Sequence, residues 1–149
     1  MNPDFRTLRL KQLERSLSPF LSGRGSPRPK TGWLRAIREA SGITLREMAR
    51  RLNKAPSVAA HFEKSEAEYR ITLGKLREAA DALGCELVYS LLPKRGSLRD
   101  LAEQQARAQA TENVRAVEHS MALEDQAVGG VEEKIEEETR RILNASLKG

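Results

Sequence analysis

The chain has 149 residues, with 26 Lys and Arg against 21 Asp and Glu, so its formal net charge is +5. This length supports one small core with appended elements and is too short for two full domains. No apolar run approaches the roughly 18 residues of a membrane span. Cys85 is the single cysteine, which excludes an intramolecular disulfide. We therefore expect a soluble cytoplasmic protein with no membrane contact.

The charge is distributed unevenly along the chain. Residues 1–75 contain 16 basic and 7 acidic side chains, whereas residues 76–149 contain 10 basic and 14 acidic ones. A basic half favours a polyanionic partner such as double-stranded DNA. The acidic half suggests a different task, such as contact with a protein.

The N-terminal region, residues 1–30, is predicted to contain one helix and a basic linker. Leu10, Leu13 and Leu17 recur at helical spacing within residues 4–21, and Pro19 should end that helix near Ser18. Residues 22–32 combine glycine, proline and basic residues and cannot bury apolar surface, so they predict a flexible linker.

Residues 31–84 are predicted to form a helix-turn-helix domain. Thr44 and Glu47 match a capping box, in which each side chain satisfies the free backbone amide of the other residue. Pro56 is tolerated in a first helical turn because its missing N–H has no partner there. A short turn, Asn53-Lys54-Ala55, separates the two central helices. The four predicted helices are 33–41, 44–52, 56–63 and 72–83. The last is expected to begin at a Thr72 N-cap and to end at Gly84, with one apolar face formed by Leu73, Leu76, Ala79, Ala80 and Leu83.

Residues 85–96 are predicted to contain one strand. Leu87, Tyr89 and Leu91 alternate with other residues over 85–93, and Pro93 ends the run. A lone strand cannot satisfy its own backbone groups, so the simplest partner is the same strand of a second chain. The segment therefore predicts a homodimer, although a helix extension or pairing with an unrecognised strand also fits the pattern.

Residues 97–149 are predicted to be helical and to bind a partner or a second subunit. Ser97 can cap a long helix that breaks at Gly129-Gly130. Nothing larger than alanine is available for burial between Ala102 and Asn113, so this helix needs a partner surface. A last helix, 131–147, can pack on the N-terminal helix of its own or a neighbouring chain. The expected fold is mainly α: a lambda-repressor-like domain, a dimerising β-strand and long C-terminal helices.

No catalytic, metal or cofactor site is evident in the sequence. His61 and His119 have no carboxylate or cysteine at metal-ligand spacing, and no phosphate loop or nucleophile–base pair is present. We therefore expect a non-enzymatic protein. The predicted DNA-binding residues are basic groups for phosphates and first-turn residues for base edges: Arg46, Arg50, Arg51, Lys54, Ser57, Val58, Ala60, His61 and Lys64.

The sequence also resembles known families. Residues 33–66 read WLRAIREASGITLREMARRLNKAPSVAAHFEKSE and resemble Xre-type DNA-binding domains. Residues 72–94 read TLGKLREAADALGCELVYSLLPK and resemble HipB-type antitoxins, whose strand forms a shared sheet across the dimer. Nearly the whole chain resembles the family called mobile mystery protein A. That resemblance implies a partner with a Fic domain, which transfers AMP or a related group to target proteins.

Two short stretches bear on what the resemblance implies. Xre-type domains often have Gln or Arg side chains where this chain has Leu45, Ala55-Pro56 and His61, which predicts DNA binding dominated by phosphate contacts. Fic proteins are often silenced by the pattern Ser/Thr-x-x-x-Glu-Gly/Asn, which resembles Ser120 to Glu124 except that Asp125 replaces Gly or Asn. Ser120 and Glu124 would lie one helical turn apart.

Three functions are compatible with these features. The first is a dimeric repressor of its own operon, acting as an antitoxin. The second is an antitoxin-type inhibitor that silences a Fic-domain protein, with DNA binding secondary. The third is a nucleoid-associated protein without specific sites, and the ratio of specific to random DNA affinity distinguishes it from the first.

Overall fold

The computed structural model describes residues 3–123 and 130–145 and divides the chain into two compact units. One unit is Gly25–Tyr89, and the other joins the residues up to Arg24 with those from Ser90 onwards. A 3-10 helix, Ser18–Gly23, follows the first α-helix. The α-helices of the described residues are α1 (Pro3–Leu17), α2 (Trp33–Ala40), α3 (Leu45–Leu52), α4 (Pro56–Ala67), α5 (Leu73–Ala82), α6 (Leu98–Leu123) and α7 (Val131–Ala145).

The core of the Gly25–Tyr89 unit lies where α3 packs against α4 and α5. Ala49 of α3 and Ala59 of α4 are fully enclosed, and their small side chains allow the two helix backbones to approach closely. Met48 and Phe62 fill the space beside them. Removing such large apolar side chains from water is the main term that stabilises so small a unit. The remaining buried members of this cluster are Leu34, Leu52, Ala79 and Leu83.

A buried ion pair connects α2 to α4. The Arg38 guanidinium donates from Nε to Glu63 Oε2 at 2.8 Å and from Nη2 to Glu63 Oε1 at 2.9 Å. Its Nη1 donates to the Ile43 carbonyl at 3.0 Å. The hydrogen bond to Glu63 is the main cause that raises the pKa of Arg38. Both charged groups therefore enter the core with partners, as buried charges must.

A second buried carboxylate of α4, Glu66, fixes the start of α2. Its Oε1 accepts the Leu34 N–H at 2.8 Å, and its Oε2 accepts from Arg28 Nη1 at 2.8 Å. Gly32 lies against this carboxylate with φ 84°, and a Cβ added at position 32 would lie 2.7 Å from Glu66 Oε1. Glycine is therefore required at position 32 by both its conformation and the space. Arg28 lies within the predicted flexible linker, which thus has a fixed tertiary contact at its C-terminal end.

The second unit is built on an antiparallel pair of helices, α6 and α7, whose close packing uses small residues. Ala106 and Ala110 of α6 are buried, and Ala110 clusters with Val114 and Ile135. Lys134 Nζ pairs with Glu118 Oε1 at 2.6 Å. The long alanine-lined helix thus finds its partner surface in α7 of the same chain, as its composition requires.

Helix α1 packs against this helical pair in the same chain. The Arg6 Nη1 donates to the Leu143 carbonyl of α7 at 3.1 Å, and Glu14 Oε1 accepts the Arg99 N–H of α6 at 3.2 Å. Arg24 donates to the carbonyls of Pro93 and Gly96, just before α6. The alternative in which the last helix packs on the N-terminal helix of its own chain is therefore the one observed.

The strand predicted over residues 85–93 is not supported. No residue of the described ranges is in a β-strand, and residues 85–92 have no regular secondary structure. A strand is defined by a hydrogen-bonded partner, and the described part of a single chain supplies none. The alternation of Leu87, Tyr89 and Leu91 therefore does not produce a sheet within the described part of one chain.

Two further sequence predictions are changed by the structure. Only half of the predicted capping box forms: the Glu47 N–H donates to Thr44 Oγ1 at 3.1 Å, but the Glu47 carboxylate bonds to arginines instead. Leu73, expected on the buried face of α5, is exposed. None of the helices described is long and apolar enough to cross a membrane.

We predict that Arg38→Ala destabilises the Gly25–Tyr89 unit by about 3–5 kcal/mol, because it leaves Glu63 buried without a partner. The double variant Arg38→Met/Glu63→Leu should recover most of this loss. Urea unfolding followed by the fluorescence of Trp33, the single tryptophan, measures the stability of this unit. Equal destabilisation by the single and double variants would contradict the prediction.

Candidate nucleic-acid interface

A tight turn that begins at Asn53 sets the angle between α3 and α4. Asn53 has the left-handed conformation, with φ 55° and ψ 44°. Its N–H donates to the Arg50 carbonyl at 3.1 Å, and the Lys54 N–H donates to the Ala49 carbonyl at 2.9 Å. These two bonds are the pattern of a Schellman helix end. Asparagine is one of the few residues besides glycine that adopts this conformation readily.

Helix α4 begins without a side-chain cap. Ala55 precedes it in an extended conformation and offers no side-chain acceptor, and Pro56 takes the first helical position. The Ala55 carbonyl accepts the Val58 N–H at 2.9 Å. Pro56 has no N–H, so the Ser57 amide is the first backbone donor of the helix that can meet an anion.

The outer face of α4 is exposed along its whole length. His61 Nε2 lies 3.2 Å from Ser65 Oγ, one turn further along the helix. Val58 is half-buried and packs against the core, so its side chain is less available for a thymine methyl than the sequence suggested. Of the predicted DNA-binding residues on this helix, those exposed are Ser57, Ala60, His61 and Lys64.

The arginines at the end of α3 already have carboxylate partners. Glu47 Oε1 accepts from Arg50 Nη2 at 2.6 Å and from Arg51 Nε at 3.1 Å. Arg51 Nη1 also donates to the Ala82 carbonyl at the end of α5, at 3.1 Å. Arg51 therefore connects α3 to α5, whereas Arg50 bonds to Glu47, one turn away on its own helix.

These contacts alter the electrostatics of the exposed surface. Hydrogen bonds from Arg50 and then from Arg51 lower the pKa of Glu47 from 4.5 to about 2. The same pairing raises the pKa of Arg50. Lys54 Nζ lies 3.9 Å from Glu78 Oε1, so its charge is also partly compensated within the protein.

The predicted phosphate-binding residues thus fall into two groups. Arg50, Arg51 and Lys54 face carboxylates of their own unit. Arg46 and Lys64 are exposed and have no ion-pair partner within residues 3–123 and 130–145. Arg46 and Lys64 therefore offer phosphate contacts with no internal ion pair to break.

Sequence reasoning missed the supporting role of Glu63 and Glu66. Both lie on the face of α4 that carries the buried Ala59 and Phe62. A signal was present, because these four residues follow the spacing i, i+3, i+4, i+7 of a single helical face. Charged side chains at inward positions imply buried partners, which are Arg38 for Glu63 and Arg28 for Glu66.

The other predicted site residues lie apart from the helix-turn-helix. Leu87 is half-buried, while Tyr89 and Leu91 are 66% and 86% exposed. Ser120 is exposed near the end of α6. Glu124, the second residue of the predicted Fic-inhibitory motif, lies outside the described residues.

Comparison with known proteins agrees with this geometry. Residues 34–90 match the family model described as helix-turn-helix, the range that holds α2 to α5. No curated protein and no solved structure is significantly similar to the chain. The matched segment is an Xre-type helix-turn-helix domain, and with its exposed α4 and surrounding cations it defines a DNA-binding transcriptional regulator.

We predict that Glu47 stays ionised until the pH approaches about 2. Its pKa is lower in the folded than in the unfolded chain, so the ion pairs stabilise the fold above pH 4.5 and this contribution is lost as the pH falls towards 2. Side-chain carboxyl NMR titration measures the pKa directly. Arg50→Gln should raise it, whereas Arg35→Gln, which breaks a similar pair with Glu39 on α2, should not. A wild-type Glu47 that titrates near 4.5 would contradict this assignment.

Proposed function

We propose that the protein is a dimeric repressor of its own operon and acts as the antitoxin of a pair whose other member contains a Fic domain. The observation that supports this most directly is the helix-turn-helix, in which the ion pairs of Glu63 and Glu66 hold the inner face of α4 while its outer face stays exposed. The Fic-domain partner rests on the resemblance to mobile mystery protein A. We further propose that the protein acts by binding and not by catalysis.

The exposed residues of α4 favour weak discrimination between bases. Arg and Gln make the bidentate base contacts that discriminate strongly, and the first turn of α4 offers Pro56, Ser57 and Ala60 instead. Ser57 and His61 are the side chains with hydrogen-bonding groups at base-edge positions. Phosphate contacts, half-site spacing and DNA shape would therefore supply much of the affinity and specificity.

A second subunit would increase the affinity for DNA and would set the spacing between the two half-sites. Val88, Tyr89 and Leu91 expose large apolar surfaces in a segment without regular secondary structure. The backbone N–H and C=O groups of residues 86–92 form no hydrogen bond within the described part of the chain and remain available to a second copy. We propose that residues 85–93 pair with their symmetry mate, which would convert the alternating pattern into a two-stranded sheet and bury these side chains.

We predict that the protein binds the DNA upstream of its own gene more than about a hundredfold more tightly than a scrambled duplex. Fluorescence anisotropy at two salt concentrations measures both affinities. Ser57→Ala/His61→Ala should reduce the ratio by about tenfold or more, because each lost base contact is worth about 1–3 kcal/mol.

Lys64→Gln is the matched control for base readout. It should weaken binding to both duplexes equally and lower the salt slope by about 0.9, as the loss of one phosphate contact does. Equal affinity of the wild-type protein for both duplexes would exclude a sequence-reading repressor and would support the nucleoid-associated function. No binding to either duplex would exclude both.

For the dimer, we predict that Leu91→Asp shifts the protein from dimer to monomer in sedimentation velocity experiments. A charge at this 86% exposed position leaves an isolated chain unaffected but is not tolerated in an apolar interface. Val117→Asp, at an exposed position of α6, is the control and should remain dimeric. A wild-type protein that is monomeric at micromolar concentration would exclude the proposed intermolecular sheet.

A second candidate function is the silencing of a Fic-domain protein, with DNA binding secondary. The observation that favours it is the acidic outer side of α7, where Glu133, Glu136 and Glu137 are exposed and have no ion-pair partner in the described part of the chain. This surface lies in the unit that is separate from the helix-turn-helix, and its charge is opposite to that of a DNA-binding surface.

For this candidate, we predict that a Fic-domain protein encoded beside this gene co-purifies with the full chain. Glu124→Gly should leave the complex intact but restore AMP transfer. The substitution removes the glutamate of the Ser/Thr-x-x-x-Glu-Gly/Asn pattern, which blocks the nucleotide site of Fic proteins. Glu133→Gly is the control and should leave transfer silenced. A complex that is silent with both variants would exclude the Ser120–Glu124 motif, and the absence of any complex would exclude the candidate function.

A further inference from the structure

The segment just before the helix-turn-helix is attached to the end of α4. We call residues 28–33 the strap. Arg28 donates to the Glu66 carbonyl at 3.1 Å, to Glu66 Oε2 at 2.8 Å and to the Ala67 carbonyl at 2.5 Å. It therefore bonds to the Ala67 carbonyl in the last turn of α4 and shares the Glu66 carbonyl with the Tyr69 N–H. The strap lies outside the range 34–90 that matches the helix-turn-helix family.

Arg28 also fixes an outward-facing aromatic residue. Its guanidinium carbon lies 3.7 Å from the centre of the Tyr69 ring, a cation–π contact. Tyr69 has φ 60°, a conformation that large side chains rarely adopt and that the surroundings must impose. The residue is nevertheless 81% exposed. The structure thus holds an aromatic side chain in solvent, two residues beyond the end of α4.

The surface around Tyr69 combines aromatic and basic groups. Trp33, the last strap residue, is 53% exposed and is the chain neighbour of Leu34, whose N–H bonds to Glu66. Lys30 is exposed and has no ion-pair partner among the residues that the structure describes. Arg70 is exposed and lies 3.8 Å from Glu68, the exposed carboxylate of this surface. We call Lys30, Trp33, Tyr69 and Arg70 the aromatic-basic patch.

The position of the patch relates it to DNA. Helix α4 has 12 residues and is therefore about 18 Å long, whereas the major groove is about 12 Å wide. A recognition helix that enters the groove with its first turn and crosses it would reach the sugar-phosphate backbone at its other end. The patch lies at that end, and it offers two cations and a phenol, groups that bind phosphates.

We infer that the aromatic-basic patch is a second contact with the DNA backbone, beside the recognition helix. Lys30 and Arg70 contact phosphates there, Tyr69 donates its hydroxyl to a phosphate, and Trp33 lies against deoxyribose. Arg28 is a positioning residue that holds the strap and Tyr69. This inference rests on the proposed DNA-binding function and adds to it Lys30 and Trp33, which lie outside the matched helix-turn-helix segment.

Trp33 makes the inference testable in the wild-type protein. It is the single tryptophan of the chain, so acrylamide quenching of the intrinsic fluorescence reports the accessibility of the patch. The probe is the upstream duplex, and anisotropy of a labelled copy measures binding independently. The quenching constant should fall by at least half when the duplex is saturated. A bound duplex with unchanged quenching would overturn the inference while leaving the proposed function intact.

A pair of variants tests the phosphate contacts. Lys30→Gln/Arg70→Gln should lower the slope of log affinity against log salt by about 2, at roughly 0.9 for each contact. Arg35→Gln/Arg77→Gln removes the same charge from exposed positions of the same unit outside the patch, and should leave the slope unchanged. Equal slopes for the two double variants would overturn the inference. No binding by the wild-type protein would overturn the proposed function, and the inference with it.

Discussion

The negative charges on the inward face of α4 constrain the rest of the helix-turn-helix unit. Glu63 and Glu66 are both buried, and each forms an ion pair with an arginine from a preceding segment. A buried carboxylate without a partner would destabilise the fold strongly, so Arg38 and Arg28 must approach in fixed positions. The orientation of the recognition helix is therefore set by electrostatic pairing as well as by the apolar contacts of Ala59 and Phe62.

This arrangement separates the charges that stabilise the protein from those available to DNA. Five arginines of the unit, Arg28, Arg35, Arg38, Arg50 and Arg51, form hydrogen-bonded ion pairs with its own carboxylates. A DNA phosphate must compete with Glu47 for Arg50, and competition with an intramolecular partner weakens binding. A basic net charge thus overstates the attraction for a polyanion, because much of the positive charge is already neutralised locally.

The sequence predicted the helices of this unit well, and it predicted the site less completely. Capping and helix-stop signals at Thr44, Pro56, Thr72 and Gly84 are local, so they mark the helices without knowledge of the fold. The partners of Glu63 and Glu66 lie 25 and 38 residues away, and no local signal selects Arg38 or Arg28 from the other arginines. The strand at 85–93 is predicted from the alternation of side chains alone. Alternation indicates that a segment has two different faces, but it does not show that the segment has a hydrogen-bonding partner.

The order of the two units along the chain has a consequence for synthesis. The Gly25–Tyr89 unit is inserted between the two parts of the other unit, so it emerges from the ribosome before α6 and α7 do. Helix α1, which contains Leu10 and Leu17, therefore has no α6 or α7 to pack against until those helices emerge. Domains generally fold as units during translation, so the helix-turn-helix should reach its native state first. A chain released after residue 90 would therefore consist of a nearly complete helix-turn-helix unit attached to an unpaired amphipathic helix.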